Sequence, residues 1–214
     1  MTATTDKPST APASVAAEGA DVEPGGGPLV ERRLGLLLLV AGLIGFAAAF
    51  VLTVEKFWLL TNPFYVPSCT VNATVSCGPV MSSPQAELFG FPNPLLGIAG
   101  FAVVAATGAA LLAGGRLAGW YWAGLQAGVS LAVVFVAWLI SQSLFVIGAL
   151  CPYCMVVWAV TFTVFWYVTL RNLTAHRPPR AGGLVELAVR YHSTLLLLGL
   201  AAVAALVIIT IQLR

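Results

Sequence analysis

The chain has 214 residues, 59% of them hydrophobic and 8% charged, with a formal net charge of +2 and a mean hydropathy of +0.95. A soluble domain carries about 25% charged residues, so a water-solvated globule is excluded and a polytopic membrane protein is implied. The basic residues are few and scattered, which argues against any nucleic-acid partner.

Residues 1–28 are rich in Ala, Pro, Thr, Gly and Glu and nearly free of large apolar side chains. Such a segment cannot bury enough surface to offset its ordering entropy, and a disordered tail is predicted. A cleaved signal peptide does not fit, because the first apolar run starts late, is too long and has no A-x-A site after it.

A helix needs roughly 20 apolar residues to cross a bilayer core. Five segments qualify: about 34–54, 94–113, 117–140, 144–170 and 194–213, the last within a C-terminal unit 194–214. They predict an all-α integral membrane protein. Its bundle of four transmembrane helices, within 29–175, carries a large loop at 55–93. A linker at 176–193 leads to a fifth transmembrane helix. The segment SPQAELFG in the large loop reads as a short interfacial helix ending at Gly90.

Five spans put the termini on opposite sides. Lys7, Arg32, Arg33, Arg116, Arg171, Arg177, Arg180 and Arg190 fall on one side, and Lys56 and Arg214 on the other. The excess of Lys and Arg makes the first side cytoplasmic. The N-terminal tail and the linker are then inside, and loop 55–93 and the C-terminus outside. Gly35, Gly42 and Gly45 in the first segment, and Gly97, Gly100 and Gly108 in the second, predict close helix approach. The spans as bounded hold no charge, so nothing in them marks a transport pathway. Gln126 reads as packing glue.

All four cysteines, Cys69, Cys77, Cys151 and Cys154, fall at or near the external face, the oxidising side where disulfides persist. Four cysteines allow three pairings. Cys151 with Cys154 and Cys69 with Cys77 are the natural pairs. A static Cys69–Cys77 bridge is plausible, since it closes a short loop. A static Cys151–Cys154 bridge closes almost none and stabilises little; C-x-x-C pairs are more often redox-active, with one thiol acidified. A zinc site lacks its usual second short Cys pair, and no metal is expected. Pro152 suits a first helical turn, which would favour thiolate at Cys154, although a kink within a longer helix is the alternative. A fourth span starting near Leu144 would put Cys151 roughly 10 Å and Cys154 roughly 15 Å deep. A lipid-soluble acceptor reaches that depth more easily than a water-soluble one. The two pairs therefore suggest a relay, in which the loop pair meets a soluble partner and then swings down to the helix pair.

The ordered set of motifs resembles the vitamin K epoxide reductase family over about residues 34–170. It comprises Cys69 and Cys77, then Ser83 in CGPVMSS, Asn93 in FPNPLLG, and Cys151 and Cys154 in CPYC. The resemblance implies that Cys154 lies next to a quinone and that Cys151 forms a transient mixed disulfide with Cys77. Cys69 would then face the incoming partner, Asn93 would hydrogen-bond a quinone carbonyl, and Ser83 would shape that pocket. Asn93 before Pro94, and Ser83 before Pro84, also suit helix N-caps. Trp158 stands where the vertebrate enzymes carry a tyrosine. It is expected either to line the pocket or to face lipid.

The function implied is a thiol–disulfide oxidoreductase of a bacterial cytoplasmic membrane. It would reoxidise a DsbA-like thioredoxin-fold partner on the external face, pass two electrons to a membrane quinone, and so drive disulfide formation in exported proteins. The Ala- and Gly-rich composition points to a high-GC bacterium, in which menaquinone is more usual than ubiquinone. One alternative is a quinone or quinone-epoxide reductase whose useful product is the reduced quinone. Another, of a different class, is a non-enzymatic membrane subunit with structural disulfides.

Overall fold

The structure, a computed structural model, describes residues 28–62, 64–72, 74–175 and 182–212. Of the tail expected to be disordered over 1–28, all but Pro28, which opens the first helix, lies outside the described residues, as do Arg177, Arg180 and Arg214. The protein is an all-α membrane protein: five of its helices are long and apolar enough to cross a bilayer. Among the described residues the only β pairing is an isolated parallel bridge between Val75 and Leu150.

Helix α1 spans Pro28–Thr61. It runs well past the expected end at Val54, and this corrects two expectations. Glu55 and Lys56 are helical rather than part of a loop, so the span is not free of charge. Two charges do not break a helix, and Phe57, Trp58, Leu59 and Leu60 continue its apolar run. The large loop then contains α2 (Cys77–Met81) and a single 3₁₀ turn at Pro84–Glu87. That turn is the short helix expected from SPQAELFG, and Gly90 closes the segment in a left-handed conformation (φ +80°).

Helix α3 spans Pro94–Leu112 and α4 spans Gly119–Ser141. The α4 helix continues as a wider π-type turn over Gln142–Ile147 and stops at Gly148, whose φ of +73° marks a left-handed cap. Helix α5 begins only at Pro152 and ends at Ala175. The fourth span therefore does not start near Leu144, because that residue belongs to the end of α4. The depths inferred from that start fall with it. Cys151 immediately precedes α5, and Cys154 lies in its first turn, where proline's missing N–H has no partner to lose. The stretch expected as linker contains α6 (Gly182–Arg190), followed by α7 (His192–Gln212).

Helix α1 packs along α3 and also against α5, and α4 packs against α5. The α1–α3 seam rests on glycine. A Cβ at Gly42 would overlap the backbone of Ala105, one at Gly108 the backbone of Leu39, and one at Gly45 the ring of Phe101. In lipid, such backbone approach gains dispersion contacts that larger residues would prevent. One core cluster joins Leu38, Val104, Trp122, Leu125, Val164 and Val168 across α1, α3, α4 and α5. Gln126 takes the expected packing role: its Nε2 donates to Thr169 Oγ1 at 3.0 Å, and Asn172 Nδ2 donates to its Oε1 at 3.1 Å. Helix α7 lies outside the four. It contacts them through Val203, Val207 and Ile211 and through a 2.9 Å bond from Trp166 Nε1 to the His192 carbonyl.

Candidate active site

The loop cysteines meet the helix cysteines at the end of the bundle where α1 finishes and α5 begins. Cys69 and Cys77 are joined by a disulfide, while Cys151 and Cys154 are free thiols. Cys77 Sγ lies 2.7 Å from Cys151 Sγ, although 74 residues separate them in sequence. The two residues are among the most completely buried in the protein, packed with Leu52, Cys69 and Met81.

Backbone pairing sets this register. Leu150 N donates to the Thr74 carbonyl at 2.8 Å, and Ser76 N donates to the Leu150 carbonyl at 2.9 Å. The two segments run parallel at this bridge, so the residues just beyond each, Cys77 and Cys151, arrive side by side. The Cys151 carbonyl then accepts from Met155 N at 3.1 Å, the first bond of α5. Cys151, ahead of that helix, has its thiol held below the ordinary range. The main cause is the hydrogen bond with the Cys154 side chain, helped by the backbone N–H groups of Cys154 and Tyr153 and opposed by burial. The sequence placed the helix-terminal effect on Cys154; the structure gives it to Cys151 instead, through the backbone N–H groups of Tyr153 and Cys154. The sulfurs of Cys69, Cys77 and Cys151 all lie within 4.8 Å of one another. Two of the three share a covalent bond, whereas a metal requires thiolates.

Cys154 lies on the other side of this junction, on the wall of a half-open cavity of about 1370 Å³ lined by α1, α3, α4, α5 and the 3₁₀ turn. The lining is overwhelmingly apolar. Its few polar side chains include Ser83, Gln85, Asn93 and Gln142 near the cysteine end. Trp158, one turn beyond Cys154, is 5% exposed and packs with Val136, Ile140, Leu144 and Val207 while lining the cavity. It does not face lipid.

Neither expected N-cap forms: Asn93 and Ser83 make no side-chain bond to the turn that each precedes. Ser83 Oγ donates back to the Val80 carbonyl at 2.7 Å. Asn93 Nδ2 donates to the Gln85 carbonyl at 2.6 Å, leaving its Oδ1 buried with no partner. A buried acceptor without a partner is costly, and on the wall of an apolar cavity it is a ready contact for a ligand hydroxyl. The cavity therefore suits a flat apolar ring bearing oxygens, with a hydrocarbon tail.

Sequence reasoning counted Lys56 only as an external loop charge and passed over Glu55. Both are buried at the end of α1, and Lys56 lines the cavity. Their signal was present: no proline follows the first apolar run until Pro63, so the helix had no reason to stop before them. Tyr65, outside the spans, donates its hydroxyl to Glu55 Oε2 at 2.9 Å. Its phenol is held above the usual range, first by that bond and then by desolvation and the carboxylate charge.

The sequence pattern of the vitamin K epoxide reductase family matches residues 36–169. The chain belongs to this family. No individually curated protein matches the sequence. The matched stretch runs from α1 through nearly all of α5 and includes all four cysteines, Ser83, Asn93 and Trp158. Membership places the chain among membrane thiol–disulfide and quinone oxidoreductases, whose members use quinones. The apolar cavity beside Cys154 has room for such a ligand. The expected bond from Asn93 to a quinone carbonyl is not the one this geometry offers, because its amide nitrogen already donates to the Gln85 carbonyl and its free oxygen can only accept, as from a hydroquinone hydroxyl.

Proposed function

We propose that the chain oxidises a thioredoxin-fold, DsbA-like protein on the external face of a bacterial cytoplasmic membrane and delivers the two electrons to a membrane quinone, menaquinone in preference to ubiquinone. The single observation that carries this reading is the 2.7 Å approach of Cys77 to Cys151, with Cys154 next to them on the cavity wall. The balance of Lys and Arg puts the cysteine end outside and the N-terminus inside.

The relay is a sequence of thiolate attacks. One thiolate of the reduced partner attacks Cys69, breaking the Cys69–Cys77 bond and releasing Cys77 as thiolate. The partner's second thiol displaces Cys69, so the partner leaves oxidised and the loop pair reduced. Cys77 thiolate attacks Cys151 of an oxidised Cys151–Cys154 pair, forming a Cys77–Cys151 bond and releasing Cys154. Cys69 then attacks Cys77, which restores the loop disulfide and frees Cys151. This last arrangement, with the loop pair bonded and both helix thiols free, is the one the structure displays. A quinone bound in the cavity would take up the two electrons and two protons of the helix pair, with Asn93 Oδ1 accepting a hydrogen bond from the hydroxyl that results and Trp158 and Ser83 bounding the ring site.

The test is turnover of the reconstituted protein with menaquinone and a reduced thioredoxin-fold partner. Cys154→Ala is expected to lower the rate at least about a hundredfold, as loss of one member of a concerted set does. Full turnover in that variant would sink the mechanism. Trapping a Cys77–Cys151 disulfide in Cys154→Ala would exclude a purely structural role for the cysteines.

A further inference from the structure

The relay leaves two buried charges without a role. Glu55 and Lys56, neighbours at the end of α1, are 6% and 7% exposed. Charges so enclosed are costly unless bonded, and each is bonded to a different flank of the redox loop. The Glu55 carboxylate accepts from the Tyr65 hydroxyl at 2.9 Å, from the Ser68 backbone N–H at 3.2 Å, and from the Ser68 hydroxyl. Ser68 is the residue before Cys69. The Lys56 ammonium donates to the Met81 carbonyl at 2.7 Å, at the last residue of α2, whose first residue is Cys77. It also pairs with Glu87 Oε1 at 2.8 Å, on the 3₁₀ turn beside the cavity. Leu52, one turn earlier on α1, packs beneath Cys69, Cys77 and Cys151.

The two clasps bear on different sulfurs. Cys69 is only 6% exposed, so an external thiol reaches it only if the loop around it yields, and the side-chain bonds holding the 65–68 flank just before it are those to Glu55. Cys77 already touches Cys151, and the cation at the far end of its five-residue helix keeps it there. We propose that Glu55 and Lys56 are positioning residues of opposite effect. Glu55 holds the Cys69 flank closed against external thiols, and Lys56 holds Cys77 in place for exchange with Cys151. This rests on the relay above only in taking Cys69 as the sulfur met from outside and Cys77 as the one that passes electrons inward.

Two rates measured on the full chain in liposomes, without quinone or protein partner, test the proposal. The first is reduction of the Cys69–Cys77 disulfide by dithiothreitol in a Cys151→Ser, Cys154→Ser background. The second is diamide-driven formation of the Cys77–Cys151 disulfide in a Cys69→Ser, Cys154→Ser background. Loss of a charge-assisted hydrogen bond corresponds to about tenfold. Glu55→Gln is therefore expected to speed the first rate about tenfold and change the second by less than about twofold. Lys56→Met is expected to slow the second about tenfold with the first nearly unchanged, and Lys56→Arg to recover most of the loss.

Parallel changes of both rates in either variant, or no change in either, would overturn the proposal; a merely structural clasp would loosen both together. Should either variant fail to fold, the milder Tyr65→Phe and Glu87→Gln decide. They are expected to speed the first rate and slow the second, respectively, by about two- to threefold, and unchanged rates there would reject it. Since neither assay contains quinone or partner, its failure is distinguishable from failure of the Cys154→Ala turnover test.

Discussion

The two sides of α3 use the same residue type for opposite ends. Toward α1, Gly108 admits the backbone of Leu39, and Gly97 leaves 3.0 Å between its would-be Cβ and that of Ala49. The two helices close into a seam with no room for a side chain. Toward α4, Gly100 lines the cavity with open space in front of it, as do Gly124 and Gly128 on α4. There the absent side chains make volume rather than contact. At the end away from the cysteines the two helices are linked by the hydroxyls of Thr107 and Tyr121. A missing Cβ thus strengthens packing where another backbone is near, and creates a ligand space where none is.

Filling the seam should do the most damage. Gly108→Leu forces α1 and α3 apart and is expected to cost about 3 kcal/mol or more, the upper range for overpacking. Thermal unfolding in detergent should show a lowered Tm or no folded protein, and an unchanged Tm would contradict the seam.

Filling the cavity should leave the fold intact and tax only the ligand. Gly128→Leu is expected to raise KM for quinone about tenfold, the scale for a few misplaced methylenes, with Tm close to that of the parent. A matching fall in Tm would mean that α4 needs its glycine for packing after all. Asn93→Leu removes the unpartnered oxygen and is expected to weaken product inhibition by the hydroquinone about fivefold, about the worth of one hydrogen bond. Smallest of all, Tyr121→Phe unlinks the far ends of α3 and α4 and should lower stability by about 1 kcal/mol, with KM for quinone unmoved.

Much of the site was legible in the sequence because its chemistry is carried by rare residues. Four cysteines in a chain this apolar stand out, and the ordered Cys69, Cys77, Ser83, Asn93 and CPYC set identifies the family without any geometry. Where legibility failed, local pattern had two readings. Hydropathy joined Leu144 to the CPYC segment because all of it is apolar; a left-handed Gly148 and the proline at 152 separate them. Hydropathy also ended the first span at Glu55, because a charge looks like water. Those two charges are buried on partners drawn from Tyr65 to Glu87. Asn93 and Ser83 fitted N-caps by position, yet their side chains bond elsewhere, since the chain around them turns back on itself.

By itself the sequence determined the number and approximate places of the membrane helices, the all-α class and the family. Each follows from local properties: a lipid-embedded backbone must satisfy its own hydrogen bonds, so a long apolar run becomes a helix wherever it occurs. Only the tertiary structure decided that Cys77 lies against Cys151, that Cys154 opens onto a cavity between α3 and α4, and that Glu55 and Lys56 grip the two flanks of the loop. Those facts join residues tens of positions apart. Side-chain packing and the pairing of buried polar groups select such contacts, and neither is encoded in any single stretch of chain.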